Sequence, residues 1–567
     1  MTLAIIGYGI SVLKRPIGID YRRLTQKLER CALSMRWPKD PTGKGHPRMN
    51  RVYRFLRRVS RSLVSIWFRE INIVDDENIP HEGGVIFISW HPSGLIDPML
   101  MHASLPGKLS MIAKHTLFKI PILGKLIRSA GAVPIERAQD SSDQTGSKNR
   151  NKQQLDNVAT VVAGGGRLII FPEGTTHTDS SVKRARSGAA RILLAARRKA
   201  LLEGKPEPHL VPIGLHYSES QTFRERAAVI VERVMEFQDI PESTSNEEEQ
   251  DLLDREWVSS VTDSIGTELK RASLSKTTWR ERTLIWKGRS LAYAEKIRQT
   301  GGKLVKPTYA ESVMGARRIR AGWEYLAKNK PTLTAQLVED CENHFEELEQ
   351  RNLVPLDVDA RPERLTRAAS ARLFISWAWA AVWMLGLITW SAVIGNLAPY
   401  RGNALAIKIM KKKGAEQSII GTLKVITAVV FFPLWWIIIS GAVTWLLLVE
   451  ASPVNEILQM HWLLALLTNL PPLLVFSILF LWWPTSAKLH MKLYARLIIK
   501  SRQIRRWKAW KVEEYNWDEL VTNQRQLAGR LVGLGEGLIL PGDEDWVDPP
   551  AGKDDVVSVK KRKPTAL

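Results

Sequence analysis

The chain has 567 residues, with 81 Lys and Arg against 58 Asp and Glu, a formal net charge of +23. That length exceeds one ordinary core, so a globular domain with additional parts is expected. Two cysteines, Cys31 and Cys341, exclude a disulfide framework and suit a reducing compartment. The basic balance suits nucleic acid, an anionic membrane face or an acidic substrate. With no zinc-finger Cys/His spacing and no RNA-binding aromatic signature, nucleic acid is not expected as a partner.

Residues 1–71 read as N-terminal amphipathic or interfacial helices. The apolar stretch 3–13 is too short to span a bilayer and lacks a basic leader, so a buried or interfacial helix is expected rather than a secretory signal. Within 51–70, Val52, Phe55, Leu56, Val59, Leu63 and Ile66 recur at helical spacing, with Arg51, Arg54, Arg58 and Arg61 on another face. This pattern fits a helix lying in a membrane surface, and equally a helix packed on a domain with its basic face in water.

From 72 to 239 short apolar runs alternate with helical stretches. Strands are predicted at 84–90, 109–113, 132–135, 166–171, 209–214 and 227–231, and helices at 115–130, 150–163 and 186–203, an α/β pattern. The polar stretch 138–153 reads as an exposed loop. Residues 240–370 are charged and helical, without a catalytic constellation.

Membrane segments are expected within 371–485. The runs 373–397, 425–449 and 462–483 carry no charged residue and reach the roughly 20 residues a span needs. Pro471-Pro472 should kink the third. Basic residues flank the first run on both sides, and the loop 450–461 has no Lys or Arg. The positive-inside rule then makes the second and third runs a hairpin and leaves the first as a re-entrant or in-plane element, with three full spans as the alternative. Residues 486–567 read as a basic amphipathic segment followed by a disordered tail from 540.

Four short segments carry the chemistry. His91-Pro92-Ser93-Gly94-Leu95-Ile96-Asp97 follows the strand at 84–90. An imidazole titrates near working pH and can take a hydroxyl proton, and a carboxylate on its other nitrogen fixes the tautomer. Residues six apart share no helical face, so the pair requires the turn that Pro92 and Gly94 allow. Gly131–Arg137 follows with Arg137 just after a strand, where a guanidinium can grip a phosphate or form a surface ion pair. Phe171-Pro172-Glu173-Gly174-Thr175 forms a turn able to present backbone N–H groups to an anion, with Glu173 free to reach acceptor hydroxyls or Arg137. Arg186-Ser187-Gly188 opens the next helix, a place that favours phosphate. His177, a lone loop histidine, reads as structural. Val211-Pro212-Ile213-Gly214 has no ionisable group and reads as a wall of the site. No spacing suggests a metal.

Taken together these segments resemble the four blocks of the glycerolipid acyltransferase superfamily. The first block, His91-x5-Asp97, is one residue longer than the usual His-x4-Asp. In that respect it is similar to the branch holding the fungal-type glycerol-3-phosphate / dihydroxyacetone-phosphate acyltransferases. Lys114-x-x-Leu117-Phe118-x-x-Pro121-x-x-Gly124 resembles the linker between blocks one and two, Thr176 stands where an Arg is common, and Arg186-x-Gly188 where Lys-x-Gly is usual. The resemblance implies an α/β acyltransferase domain, a mixed sheet flanked by helices, followed by a helical region and C-terminal transmembrane helices. It implies His91 as base and Asp97 as its partner. Arg137, Glu173, Gly174 and Thr175, with Lys114 and Arg186, would bind the acceptor.

The expected activity is transfer of an acyl chain to glycerol 3-phosphate, with dihydroxyacetone phosphate as a further acceptor, in phospholipid synthesis. The alternatives are 1-acyl-glycerol-3-phosphate acylation, a non-catalytic membrane scaffold on the same fold, and a small transporter, against which the uncharged spans argue. No cofactor is expected; acyl-CoA or acyl-ACP serves as co-substrate. An integral membrane protein with its catalytic domain on the cytosolic face is implied.

Overall fold

The structure is a computed structural model and describes residues 37, 49–119, 123–136, 144–218, 224–242, 244–301, 306–359, 367–412, 414, 420–448, 467, 469–512 and 514–562. The expected helix at 3–13, Arg137, residues 138–143 and the 450–461 loop lie outside them.

Helix α1 (Arg51–Trp67) opens on Asn50, whose side chain accepts from Tyr53 N, and ends where β1 (Phe68–Val74) begins. The helix predicted to residue 70 is therefore shorter, and β1 escaped prediction. Tyr53, Arg57, Val64 and Trp67 face the protein, whereas Val52, Phe55, Val59 and Ile66 are exposed. Arg57 donates to the carbonyls of Leu105 and Gly107, and Arg61 to that of Ala103 at 3.1 Å. These two arginines thus serve the C-terminal end of a neighbouring helix, α2 (Ile96–Ser104), where free carbonyls and the dipole favour cations.

Among the described residues seven strands form one mixed sheet in the order β1-β7-β6-β2-β5-β3-β4. They include β2 (Val85–Ser89), β3 (Leu109–Lys114), β4 (Ala132–Ile135), β5 (Arg167–Ile170), β6 (His209–Tyr217) and β7 (Glu225–Val231). All pairings are parallel except β6 with β7. Central β2 is buried at every position, as a parallel strand covered on both faces should be. Helices α3 (Leu123–Ser129), α4 (Gln144–Ala163) and α5 (Gly188–Leu202) complete this α/β unit. The loop expected to reach residue 153 gives way to helix at 144.

A helical region follows as expected: α6 (Glu247–Ala272), α7 (Trp279–Gln299), α8 (Tyr309–Asn329), α9 (Pro331–Gln350) and the short α10 (Pro355–Asp359). Thr278 and Thr308 start α7 and α8 with full capping boxes.

The expected first membrane run, 373–397, is divided at Gly386 between α11 (Arg367–Leu385) and α12 (Leu387–Lys412). The second extends through Arg401 and Lys408, so neither helix offers a sufficiently long uncharged window, and the basic flank at 398–412 is helical. Among the described residues two helices are long and apolar enough to cross a membrane: α13 (Ile420–Leu448) and the first part of α14 (Pro472–Val512). Pro472 is the first residue of α14, a place that suits proline because the N–H it lacks is one a first turn leaves unpaired anyway; residues 462–466 and 468 of the expected third run lie outside the described residues.

The tail expected to be disordered from 540 is folded over the described residues 540–562. After α15 (Glu514–Glu536), β8 (Leu538–Ile539) pairs with β9 (Lys560–Lys561). Between them Asp555 is fully buried and accepts from Arg317 at 2.8 and 2.9 Å and from Arg320 at 3.3 Å. Its charged composition serves buried arginines rather than solvent.

Candidate active site

His91 lies just past the end of β2, at the carboxyl edge of the sheet where open α/β folds place their ligands. Pro92, Ser93 and Gly94 turn the chain, with Gly94 at φ +58°, and deliver Asp97 into the first turn of α2. Asp97 is fully buried. Its Oδ2 lies 2.8 Å from His91 Nδ1 and accepts from Ser93 N at 2.7 Å. The five-residue spacing is thus spanned by a turn. His91 Nε2 has no protein partner among the described residues, and the ring stacks on Phe171 at 4.2 Å between centroids.

Tyr217, at the end of β6, escaped the sequence reading. Its hydroxyl donates to Asp97 Oδ1 at 2.7 Å. Burial first, then the adjacent Asp97 charge, push the phenol well above its usual range, so it remains a donor. Nothing in the sequence distinguishes Tyr217 from an ordinary strand-end tyrosine.

Glu173 is placed differently from expectation. It is buried, and its Oε2 accepts from His91 N at 2.9 Å while Oε1 accepts from His177 Nε2 at 2.8 Å and Lys183 N at 2.9 Å. Its carboxylate is committed to the backbone that carries the imidazole. His177 has the structural place expected of it.

Gly174 sits at φ +66°, and a Cβ there would meet Arg186 Nε at 3.0 Å. The glycine therefore lets the exposed Arg186 lie across the loop, while Arg186 N donates to the Pro172 carbonyl at 2.8 Å. Half-buried Thr175 follows in the same loop. Lys114 ends β3, two strands from β2, with Ile135 as its cross-strand neighbour. Arg137 follows β4 but is outside the described residues. The structure thus brings together His91, Asp97 and Glu173, sets Gly174, Thr175 and Arg186 beside them, and leaves Lys114 further along the edge.

The segment 211–214 lies within β6 and is buried in the sheet, with the Ile213 carbonyl accepting from Ser89 Oγ at 2.8 Å. It supports the site strand from inside and is not a wall of the opening. The helical region grips the site loop: Lys276 N donates to the Ser180 carbonyl at 3.2 Å, and the Arg282 guanidinium lies 5.2 Å from the Trp90 ring centroid. Burial lowers Arg282 to about 10. From the C-terminal apolar helices, Thr422 in the first turn of α13 accepts from Leu95 N at 2.8 Å, and a Cβ on Gly421 would meet Ile96 Cδ1 at 3.0 Å. Among the described residues no cluster of three His, Cys, Asp or Glu could hold a metal ion.

This α/β unit, with its His–Asp turn at the sheet edge, is similar to an acyltransferase domain. Residues 70–216 match the Acyltransferase family. A chloroplastic 1-acyl-sn-glycerol-3-phosphate acyltransferase of Arabidopsis thaliana is 29% identical over 25% of this chain and 38% of its own. A 1-acyl-sn-glycerol-3-phosphate acyltransferase of Borreliella burgdorferi is 25% identical over 23% of this chain and 50% of its own. A chloroplastic one from Brassica napus is 27% identical over 26% and 42%. The matched part spans half or less of each curated relative. A solved structure, the 1-acyl-sn-glycerophosphate acyltransferase of Thermotoga maritima, aligns with 20% identity and a TM-score of 0.27, covering 38% of this chain and 79% of that one.

Proposed function

We propose that the chain is a membrane-bound O-acyltransferase that moves an acyl group from a thioester to the free hydroxyl of 1-acyl-sn-glycerol 3-phosphate. The observation that carries this reading is the His91–Asp97 pair, with Nε2 open and Nδ1 held at 2.8 Å. His91 Nε2 takes the hydroxyl proton as the oxygen attacks the thioester carbonyl. The tetrahedral intermediate collapses, the C–S bond breaks, and the thiolate leaves with the proton from the imidazolium. Asp97 stabilises that imidazolium, and no acyl-enzyme is formed. The acceptor phosphate is bound near Gly174, Thr175 and Arg186, with Lys114 on the β3–β4 side, and Arg137, which follows β4 in sequence, is proposed as a further ligand. The curated relatives act on the monoacylated acceptor, which favours it over glycerol 3-phosphate.

The second reading, glycerol 3-phosphate or dihydroxyacetone phosphate as acceptor, rests on the longer first block and on Thr176 in place of Arg. The bilayer supplies the lipid acceptor: α13 and α14 anchor the chain, the outward apolar face of α1 rests on the membrane, and the basic flanks keep the domain cytosolic. Full-length protein in detergent, given labelled acyl-CoA or acyl-ACP and each acceptor, tests both. Phosphatidate formation that falls on the order of 10²- to 10⁴-fold in His91→Ala is expected. Turnover with glycerol 3-phosphate alone moves the assignment to the second reading, and none with any acceptor overturns the enzyme.

A further inference from the structure

The helical region holds a second basic feature that shares no residue with the candidate active site. A cavity of about 60 Å³ lies between the start of β7, α7, the first turn of α8 and α10, lined mainly by Arg226, Arg289, Ser290, Tyr293, Lys306 and Ser312. That is several times the space one water requires.

Three cations converge on this cavity: Arg226, Arg289 and Lys306. Arg226 lies 4.9 Å from the Tyr309 ring centroid, and its Nε and Nη1 are buried without a hydrogen-bond partner. Arg289 rests on Trp286 at 5.6 Å, and its Nε approaches the Trp286 carbonyl only to 3.5 Å. Burial, followed by the charge of Arg226, holds both Arg289 and Lys306 below their usual ranges.

The carboxylates close by are engaged elsewhere. Glu70 accepts from Tyr309 N at 2.6 Å. Glu225 pairs with Arg69 at 3.5 Å and accepts from Ser218, and Glu311 closes the α8 capping box. Among the described residues no ion pair joins Arg226, Arg289 or Lys306 to an acid. Like charges gathered in a partly buried cavity raise the free energy of the fold unless an anion sits among them. Two guanidinium forks and an ammonium suit a tetrahedral oxyanion better than a carboxylate.

We propose that this cavity binds a phosphate monoester, at a site separate from the acyl-transfer centre. The phosphate comes either from a soluble carrier of the acyl thioester or from the headgroup of a monoester phospholipid. The proposal does not depend on which acceptor is acylated.

Its test uses full-length protein in detergent micelles titrated with inorganic phosphate at fixed ionic strength, read by calorimetry and by melting temperature. Saturable binding is expected, kept in His91→Ala and weakened at least about tenfold in Arg226→Gln, Arg289→Gln and Lys306→Met. Without phosphate, Arg289→Gln should melt no lower than the parent chain, because a repelling charge has gone. Absence of saturable binding, or unchanged binding in well-folded Arg289→Gln and Lys306→Met, overturns the proposal, as does loss of binding in His91→Ala. Coenzyme A against its form lacking the 3′-phosphate, and phosphatidate against phosphatidylcholine vesicles, assign the source; a preference in either arm supports the site.

Discussion

At the residue scale, Asp97 meets three donors, from His91, Ser93 and Tyr217, so the charge that steadies the imidazolium in the proposed reaction is itself held in place. Hydrogen bonds to a charged group contribute about 1.5–3 kcal/mol each. Tyr217→Phe should therefore lower kcat on the order of tenfold with KM unchanged. It should also move the acid limb of the kcat/KM profile to higher pH, since a carboxylate with one donor fewer attracts the imidazolium more strongly. A profile identical to that of the parent would show that Tyr217 only packs. Glu173 offers a contrast. An acceptor-binding carboxylate would act through KM, whereas this one holds the His91 and Lys183 amides. Each buried donor left unpaired costs about 1–3 kcal/mol. Glu173→Ala is accordingly expected to lower the melting temperature and kcat together, with the acceptor KM changed least.

At the element scale, β2, β3, β4, β5 and β6 were legible because each is a short apolar run, most of them close to Gly or Pro, the signature of buried parallel strands. β1 was not, since Phe68-Arg69-Glu70 continues the preceding helical pattern and only pairing with β7 makes it a strand. The site was half legible. His91 and Asp97 announce themselves by type and spacing, but Tyr217 arrives from 120 residues away through sheet order. The division at Gly386 was hidden because the run is apolar on both sides of it. The contact of α13 with α2 is likewise invisible in sequence and can be probed directly. Gly421→Val would press on Ile96 and tilt the turn that carries His91. It is expected to lower acyl transfer about tenfold or more while leaving membrane extraction behaviour unchanged, as carbonate washing would report.

At the scale of the whole molecule, the C-terminal segment bolts the helical region to the sheet. Asp555 meets Arg317 and Arg320, and Glu268 and Glu232 meet Arg271. The tail was misread because acid-rich composition looks solvated, and its buried arginine partners lie more than 230 residues upstream. Removing one member of such a buried set costs about 3–5 kcal/mol, so Asp555→Asn should unfold at clearly lower urea. Burial opposes the charge on Asp555, but the neighbouring arginines prevail and bring its carboxyl down to about 2. Its stabilising effect is complete above the unfolded-state value near 3.8 and is lost as pH falls toward 2. The stability gap between parent and Asp555→Asn should hold steady above about pH 4 and close below it, as acid titration of the urea midpoint would show.

The Leu95 amide is fastened to Thr422, at the foot of a 29-residue apolar helix. Any lean of that helix is handed on to the loop bearing His91. Bilayers of different thickness make spans lean by different amounts. On the proposed membrane-bound reading, lipid tail length becomes an input to the rate, and short-tailed nanodiscs should report a turnover number distinct from long-tailed ones.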